Sequence, residues 1–356
     1  MSAPRPGLFA SLRRIAGHLY TTTTARGRGR LIVQAIGTLV ALALLAWVVG
    51  MAVNNRDLLA RLLDAPPHWL LLLFGLSIIS LFLNGLSFWI TLRPVKVIPL
   101  LDMLAANCVA SAVALIPGKL SVIWRILVHN RRDHIPVLTI GSYLIANGVI
   151  VLAVAVPLGL VGLWRKGADL SYALASLGGV SLCAGLAYLF ALLFAHECGL
   201  ARLRTLAMYL RLGFLDRALA SAPFAKLHRA LAILAHPPTL AGAIAVRTFD
   251  LLVQSARFTV AAAALGLTVS YDKAVLAGTT YFLIGVASPT GALGSSEGGT
   301  TGLAAITDIS GLSTHDFAVV TLAVGLSQML VWLTAATISI LYLRPNRWVG
   351  PSETRP

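Results

Sequence analysis

Acidic side chains are scarce in this chain, cysteines scarcer still, and charge of either sign is absent from long stretches. Only 13 Asp and Glu stand against 28 Lys and Arg in 356 residues, and charged residues make up 12% of the total. The cysteines, Cys108, Cys183 and Cys198, are odd in number and scattered, so neither a disulfide framework nor a metal cluster is implied. No cofactor is expected, no metal ligand set is found, and no residue is assigned a catalytic role. The shortage of charge argues against a soluble domain anywhere in the chain. What fills it instead is apolar: 58% hydrophobic residues and a mean hydropathy of +0.84, the composition of a polytopic membrane protein.

A membrane-crossing helix needs roughly 20 mostly apolar residues. The stretches 31–53, 68–92, 135–164, 170–195 and 317–343 hold no Asp, Glu, Lys or Arg. A sixth stretch, 239–265, has the right length but carries Arg247, Asp250, Gln254 and Arg257. The fold expected is therefore all-α and polytopic, with about six transmembrane helices.

The excess of basic residues is accompanied by no nucleic-acid motif. In a membrane protein it reads as topology and as affinity for anionic lipid headgroups. Residues 1–30 hold Arg5, Arg13, Arg14, Arg26, Arg28 and Arg30 and no acid, which predicts a basic cytoplasmic N-terminal segment and an uncleaved first span running outward. Segment 196–238 carries Arg202, Arg204, Arg211, Arg217, Lys226 and Arg229 among leucines, as interfacial helices on the inner leaflet would. Residues 344–356 form a cytoplasmic tail.

Two polar breaks interrupt apolar segments in corresponding places of the chain: Ile116-Pro117-Gly118-Lys119 and Ser288-Pro289-Thr290-Gly291. The first lies in a segment, 101–130, flanked on both sides by basic residues, so it should begin and end in the cytoplasm. A re-entrant hairpin fits, and residues 273–307 repeat the pattern from the outside. Pro removes a backbone donor at each tip, and such backbone is tolerated at membrane depth only inside protein or beside a water-filled cavity. The halves 31–164 and 165–343 then read as an inverted-topology repeat with two re-entrant helical hairpins, an arrangement typical of transporters.

The candidate site residues cluster at these breaks. Pro117 and Gly118 free backbone N–H groups at the start of a half-helix, and Lys119 and Arg125 add positive charge, which together suit an anionic phosphate headgroup. Snorkelling of Lys119 and Arg125 to the surface is the competing reading. At the second tip Pro289, Gly291 and Gly294 allow tight turns, and Glu297 is an ionisable group at membrane depth, a candidate site residue that could neutralise a nearby Arg, carry a proton or cap the following half-helix. Arg247, Asp250, Gln254 and Arg257 share one helix face that cannot point at lipid without cost. Arg247 and Asp250 can pair, leaving Arg257 as the freer cation; a purely structural polar seam is the competing reading, and the slightly favoured one. Asn107, Ser111 and Asn147 could bond across helices as packing glue.

The run from Asn107 to Arg125 with Pro117-Gly118, the stretch Ala264 to Ser270, and the run Pro289 to Glu297 resemble the lysylphosphatidylglycerol synthase transmembrane-region family. That family is the flippase domain of the multiple peptide resistance factor and its stand-alone relatives. The resemblance spans roughly 31–343 and implies a flippase of the bacterial inner membrane. The chain departs from the family at the second tip, where Pro-Gly-Gly-Leu-Gly is usual, and at Gln328, where an Arg is common. The soluble aminoacyl-transferring domain of the long members is missing from this sequence, so lipid aminoacylation is not implied.

These readings converge on translocation of a phospholipid or polyprenyl-linked lipid with an anionic headgroup, by a transporter rather than an enzyme. A homo-oligomer or a partner from lipid synthesis is compatible with it. Two other readings stay open: a polyprenyl-diphosphate phosphatase-like enzyme, which would want paired glutamates and a Ser-Arg after Pro-Gly that this chain lacks, and a non-transporting membrane subunit of a lipid-modifying complex.

Overall fold

The computed structural model describes residues 27–54, 56–116, 120–165, 167–195, 197–210, 230–288, 292–307 and 310–344. Among them the fold is all-helical, with no strand. The long helices are α1 (Gly27–Asn54), α3 (Pro67–Leu92), α6 (Val137–Trp164), α7 (Leu170–Phe194), α10 (Pro237–Ala264) and α13 (Thr314–Leu343). Between them come α2 (Arg56–Leu63), α4 (Leu100–Val113), α5 (Leu120–Arg131), α8 (Glu197–Tyr209), α9 (Ala230–Leu234), α11 (Tyr271–Ala287) and α12 (Ser295–Thr307). Four helices, α3, α6, α7 and α13, are long and apolar enough to cross a membrane. Helices α1 and α10 are each 28 residues long, as long as α6.

Local sequence accounts for several boundaries. Pro67 opens α3 and Pro237 opens α10, positions where the missing N–H costs nothing. Asp169 caps α7 by accepting from the Tyr172 N–H at 2.8 Å, and Ser313 caps α13 by accepting from Asp316 N–H at 3.1 Å. The Tyr172 N–H and the Ser171 hydroxyl together hold the exposed Asp169 carboxyl below the usual carboxylate range. The connection 54–66 contains the short helix α2.

Helices α3 and α10 lie along each other at the centre. Small residues bring neighbours close. A Cβ at Gly278 would meet Ser255 backbone at 2.8 Å, and one at Gly179 would meet Pro157 Cβ at 2.9 Å. The closest approach is that of α1 to α12, where a Cβ on Gly298 would sit 2.3 Å from Leu44 Cβ. Gly298→Val should therefore push α1 off the bundle and lower stability by about 1–3 kcal/mol, the usual cost of over-packing. A lower thermal unfolding midpoint in detergent, with earlier proteolysis within α1, is the expected result.

The short helices form two hairpins. In the first, the start of α4 and the end of α5 are tied by Asp102–Arg132 at 2.8 Å, and Tyr342 at the end of α13 donates to Asp102 at 2.8 Å. In the second, Lys273 in the first turn of α11 lies against Gly311, just before α13 begins, and Asp272 accepts from the Gly167 N–H at 3.0 Å. The bases of the two hairpins thus stand at opposite ends of α13, which at 30 residues is about 45 Å long. Their tips meet between, through a hydrogen bond from Ala292 N–H to the Ala114 carbonyl at 3.0 Å. Helices α4, α5, α11 and α12 have 14, 12, 17 and 13 residues. All four are shorter than the roughly 20 residues that a crossing needs.

Helix α8 occupies the first part of the basic segment 196–238, and Ile233 and Leu234 of α9 are buried against the bundle rather than laid out on a surface. Residues 1–26, 211–229 and 345–356, which carry most of the basic leader, the middle of the expected interfacial segment and nearly all of the tail, lie outside the described residues.

Candidate functional site

Beside the meeting point of the tips is a cavity of about 310 Å³. Its wall is drawn from both hairpins, with Ala114, Ser121 and Arg125 from one and Gly285, Ala292 and Ser296 from the other. Asn84 of α3, Asn147 of α6, Arg247 and Gln254 of α10, and Gln328 of α13 add further polar lining.

Arg125 is brought there by α5. It is 7% exposed, its guanidinium lies 3.8 Å over the Phe88 ring, and its Nη2 donates to Asn107 Oδ1 at 2.7 Å. Among the described residues its buried Nη1 has no acceptor. The snorkelling alternative is overturned for Arg125, since α5 turns the side chain inward across Phe88. Asn107 passes the connection on: it also accepts from Asn84 Nδ2 at 3.3 Å, and Asn84 Oδ1 accepts from Arg247 Nη2 at 3.0 Å.

Arg247 pairs with Asp250 at 2.7 Å, both essentially without exposure. Asp250 accepts further from Ser80 Oγ at 2.7 Å and Gln254 Nε2 at 3.3 Å. A single polar network therefore runs from α5 through α4 and α3 to α10. Ionised groups buried this deeply are tolerated only when paired and hydrogen-bonded, and the network supplies the bonds. The polar face of α10 points into the bundle, as the cost of facing lipid requires.

Arg257 is placed differently. It is 1% exposed and donates to Gln328 Oε1 at 2.7 Å and to the Val324 carbonyl at 2.8 Å, so it stands behind Gln328 rather than on the cavity wall. Sequence reasoning left Arg257 as the freer cation, and it does lack a carboxylate partner. Yet Arg247, despite its pairing, is the one that faces the cavity. Gln328, noted as a departure at a position where Arg is common, is the acceptor that holds Arg257.

Glu297, third residue of α12, reaches back to accept from the Gly294 N–H at 2.8 Å, the glutamate half of a capping box. It also accepts from Tyr281 Oη at 2.8 Å. Gly294 has φ +78°, a conformation that suits glycine. Gly325 leaves room for the carboxylate, since a Cβ there would lie 2.6 Å from Glu297 Oε1. Capping is thus realised, and the carboxylate is fully engaged by protein. Asn147 accepts from Ser87 at 3.2 Å, and Ser111 lines the cavity.

Pro117, Gly118, Lys119, Pro289 and Gly291 lie outside the described residues. Of the remaining candidates, the structure brings Arg125, Arg247 and Asp250 into one network and sets Arg257, Gly294 and Glu297 behind it. Sequence reasoning passed over Ser80, Asn84, Phe88 and Tyr281. An Asn in the otherwise apolar 68–92 stretch was the available signal for Asn84; Phe88 and Tyr281 carry none, being indistinguishable from core aromatics.

Among the described residues no group of His, Cys, Asp and Glu could hold a metal ion. The fold and site define a multi-pass helical membrane protein with a buried, cation-rich polar cavity between broken helices. The chain belongs to the family described as lysylphosphatidylglycerol synthase TM region, whose model matches residues 34–336. No curated protein and no solved structure gives a significant match. Family membership carries with it a membrane function related to lipid.

Proposed function

We infer that the protein is a lipid flippase that moves a phospholipid or polyprenyl-linked lipid between the leaflets of the bacterial inner membrane. The observation that carries this reading is the meeting of two hairpins, based at opposite ends of the bundle, beside a polar cavity faced by Arg125 and Arg247. Broken helices that meet near the midplane are how transporters build a site reachable in turn from each side. In this reading α1, α3, α6, α7, α10 and α13 cross the membrane and the hairpins re-enter it from opposite faces, with the N-terminus in the cytoplasm.

An inverted repeat is supported by how helices pair. Exchanging α1, α3, α4, α5 and α6 for α7, α10, α11, α12 and α13 maps the pairings α3–α4, α4–α13 and α1–α13 onto α10–α11, α11–α6 and α7–α6, all of them present. The headgroup phosphate would be drawn to the guanidinium charge of Arg125 on the cavity wall while the tails remain in lipid.

Reconstitution in vesicles tests this. Exchange of fluorescent anionic lipids between leaflets, faster than in protein-free vesicles, is expected. No acceleration with anionic or zwitterionic phospholipid or with a polyprenyl phosphate would overturn it.

A further inference from the structure

The polar groups on the wall of the central cavity are of several kinds, and which of their atoms remain free follows from what stands behind them. Arg257 can only donate, so Gln328 must turn its Oε1 to that guanidinium, at 2.7 Å, and its Nε2 away. Asp250, as a carboxylate, can only accept, so Gln254 turns its Nε2 to it at 3.3 Å and keeps its Oε1. Asn147 accepts from Ser87 through Oδ1 at 3.2 Å and keeps its Nδ2. None of these three spare atoms is sealed inside protein, and all three residues line the cavity. The wall thus offers amide N–H donors on α6 and α13 and an amide acceptor on α10, beside the guanidinium of Arg125.

What the wall lacks is negative charge. Among the described residues no Asp or Glu lines it, and the adjoining tip residues 117–119 and 289–291 hold none in sequence. Asp250 is turned to Arg247, Ser80 and Gln254, and Glu297 to the Gly294 N–H and Tyr281. Aromatic faces are the other means of holding a cation, and two rings of the wall already carry one: Arg125 lies 3.8 Å over Phe88 and Arg247 5.4 Å from the centre of Phe282. An ammonium brought here would face amide donors and guanidinium charge, with no anion to replace the water it gave up, and burial on those terms is costly. A phosphate that carries hydroxyls meets the reverse. Its charge is drawn to Arg125, and a hydroxyl can donate to Gln254 Oε1 and accept from the amide N–H of Asn147 or Gln328.

We propose that this cavity selects a lipid whose headgroup is an anionic phosphodiester bearing hydroxyls, of the glycerol or sugar kind, and rejects a headgroup that carries an amine. The proposal rests on the reading of the cavity as the headgroup site of a flippase and deepens it by naming the headgroup chemistry that the side chains accept. Arg125 answers the phosphate, which every phospholipid has. Asn147, Gln254 and Gln328 answer what is attached to the phosphate, and so determine specificity.

Binding and exchange are measured separately on the full chain. Binding in detergent is read from the rise of the thermal midpoint with concentration of short-chain lipids of identical tails: phosphatidylglycerol, phosphatidylmethanol, phosphatidylethanolamine and lysine-esterified phosphatidylglycerol. Phosphatidylglycerol should bind at least about tenfold tighter than the two amine-bearing lipids, the scale of one charge-assisted hydrogen bond left unmade. It should bind about fivefold tighter than phosphatidylmethanol, which has the phosphate charge and no hydroxyl. Gln328→Glu exchanges the free N–H for a carboxylate oxygen while pairing with Arg257, so it should fold with a midpoint no lower than wild type and narrow the gap to the amine-bearing lipids about tenfold. If that variant fails to fold, Asn147→Asp makes the same change on α6. Equal affinities, tighter binding of the amine-bearing lipids, no binding of any probe, or a folded carboxylate variant with the gap unchanged would overturn the proposal. Leaflet exchange of the same headgroups on long tails in vesicles reports on the flippase reading alone. Selective binding without exchange would keep the selectivity and remove the flippase; exchange without selective binding would do the reverse.

Discussion

Asp250→Asn lowers stability by about 3–5 kcal/mol, the expected cost of leaving one partner of a buried ion pair alone. The substitution keeps shape and an acceptor oxygen, so the loss isolates charge. Arg247 then stays in the bundle with neutral partners and the Phe282 ring, and no anion beside it. Removing both charges, Arg247→Met with Asp250→Leu, should recover much of the loss, because buried pairs replaced by apolar side chains are often neutral or better. Recovery will be incomplete, since Ser80 and Gln254 lose their acceptor Asp250 and Asn84 loses its donor Arg247. Thermal unfolding in detergent of the two variants decides the matter. If the double variant is no more stable than Asp250→Asn, the pair is not what holds α10 in place. The double variant should also be slow in leaflet exchange despite its stability, because Arg247 faces the cavity.

The second large effect is on exchange itself. Arg125→Lys keeps the charge but cannot both lie flat over Phe88 and hold Asn107, because an ammonium has neither the plane nor the fork of a guanidinium. Losing a charge-assisted hydrogen bond of about 1.5–3 kcal/mol corresponds to exchange about 10- to 100-fold slower. Arg125→Ala should be at least as slow and should also shift the unfolding midpoint, since Asn107 is left with a buried acceptor poorly matched. Wild-type exchange rates in both variants would remove Arg125 from the site. Reduced exchange in Arg125→Lys at an unchanged midpoint would separate a role toward lipid from a role in packing.

Much of this arrangement was legible in the sequence because lipid is an unforgiving solvent. The apolar stretches 31–53, 68–92 and 170–195 coincide with α1, α3 and α7 to within a few residues, since a charge-free run of that length has few other fates. The spacing of Arg247, Asp250 and Gln254 announced an inward face for the same reason. The two breaks announced themselves through Pro and Gly. What stayed hidden was pairing across the fold. Nothing along the chain links Asn84 to Arg247, 163 residues away, or Arg257 to Gln328. Asn107 looked like packing glue and is instead the acceptor for Arg125. Charge bookkeeping made Arg257 the freer cation, but sequence could not say that Gln328 would stand between it and the cavity.

The junction of the tips has an electrical consequence. Helix α4 ends where the Ala114 carbonyl accepts from Ala292, three residues before α12 begins, and the two helices run on toward opposite ends of the bundle. They are arranged head to tail, as one crossing helix cut at its middle. Their dipoles add along one direction, and the partial negative end of α4 faces the partial positive end of α12, which the Glu297 carboxylate already neutralises further. Little field from this pair is left over at the cut. An anion entering the cavity would therefore be drawn not by the amino end of α12 but by the guanidinium charges of Arg125 and Arg247. Helix ends provide the opening there, and side chains provide the attraction.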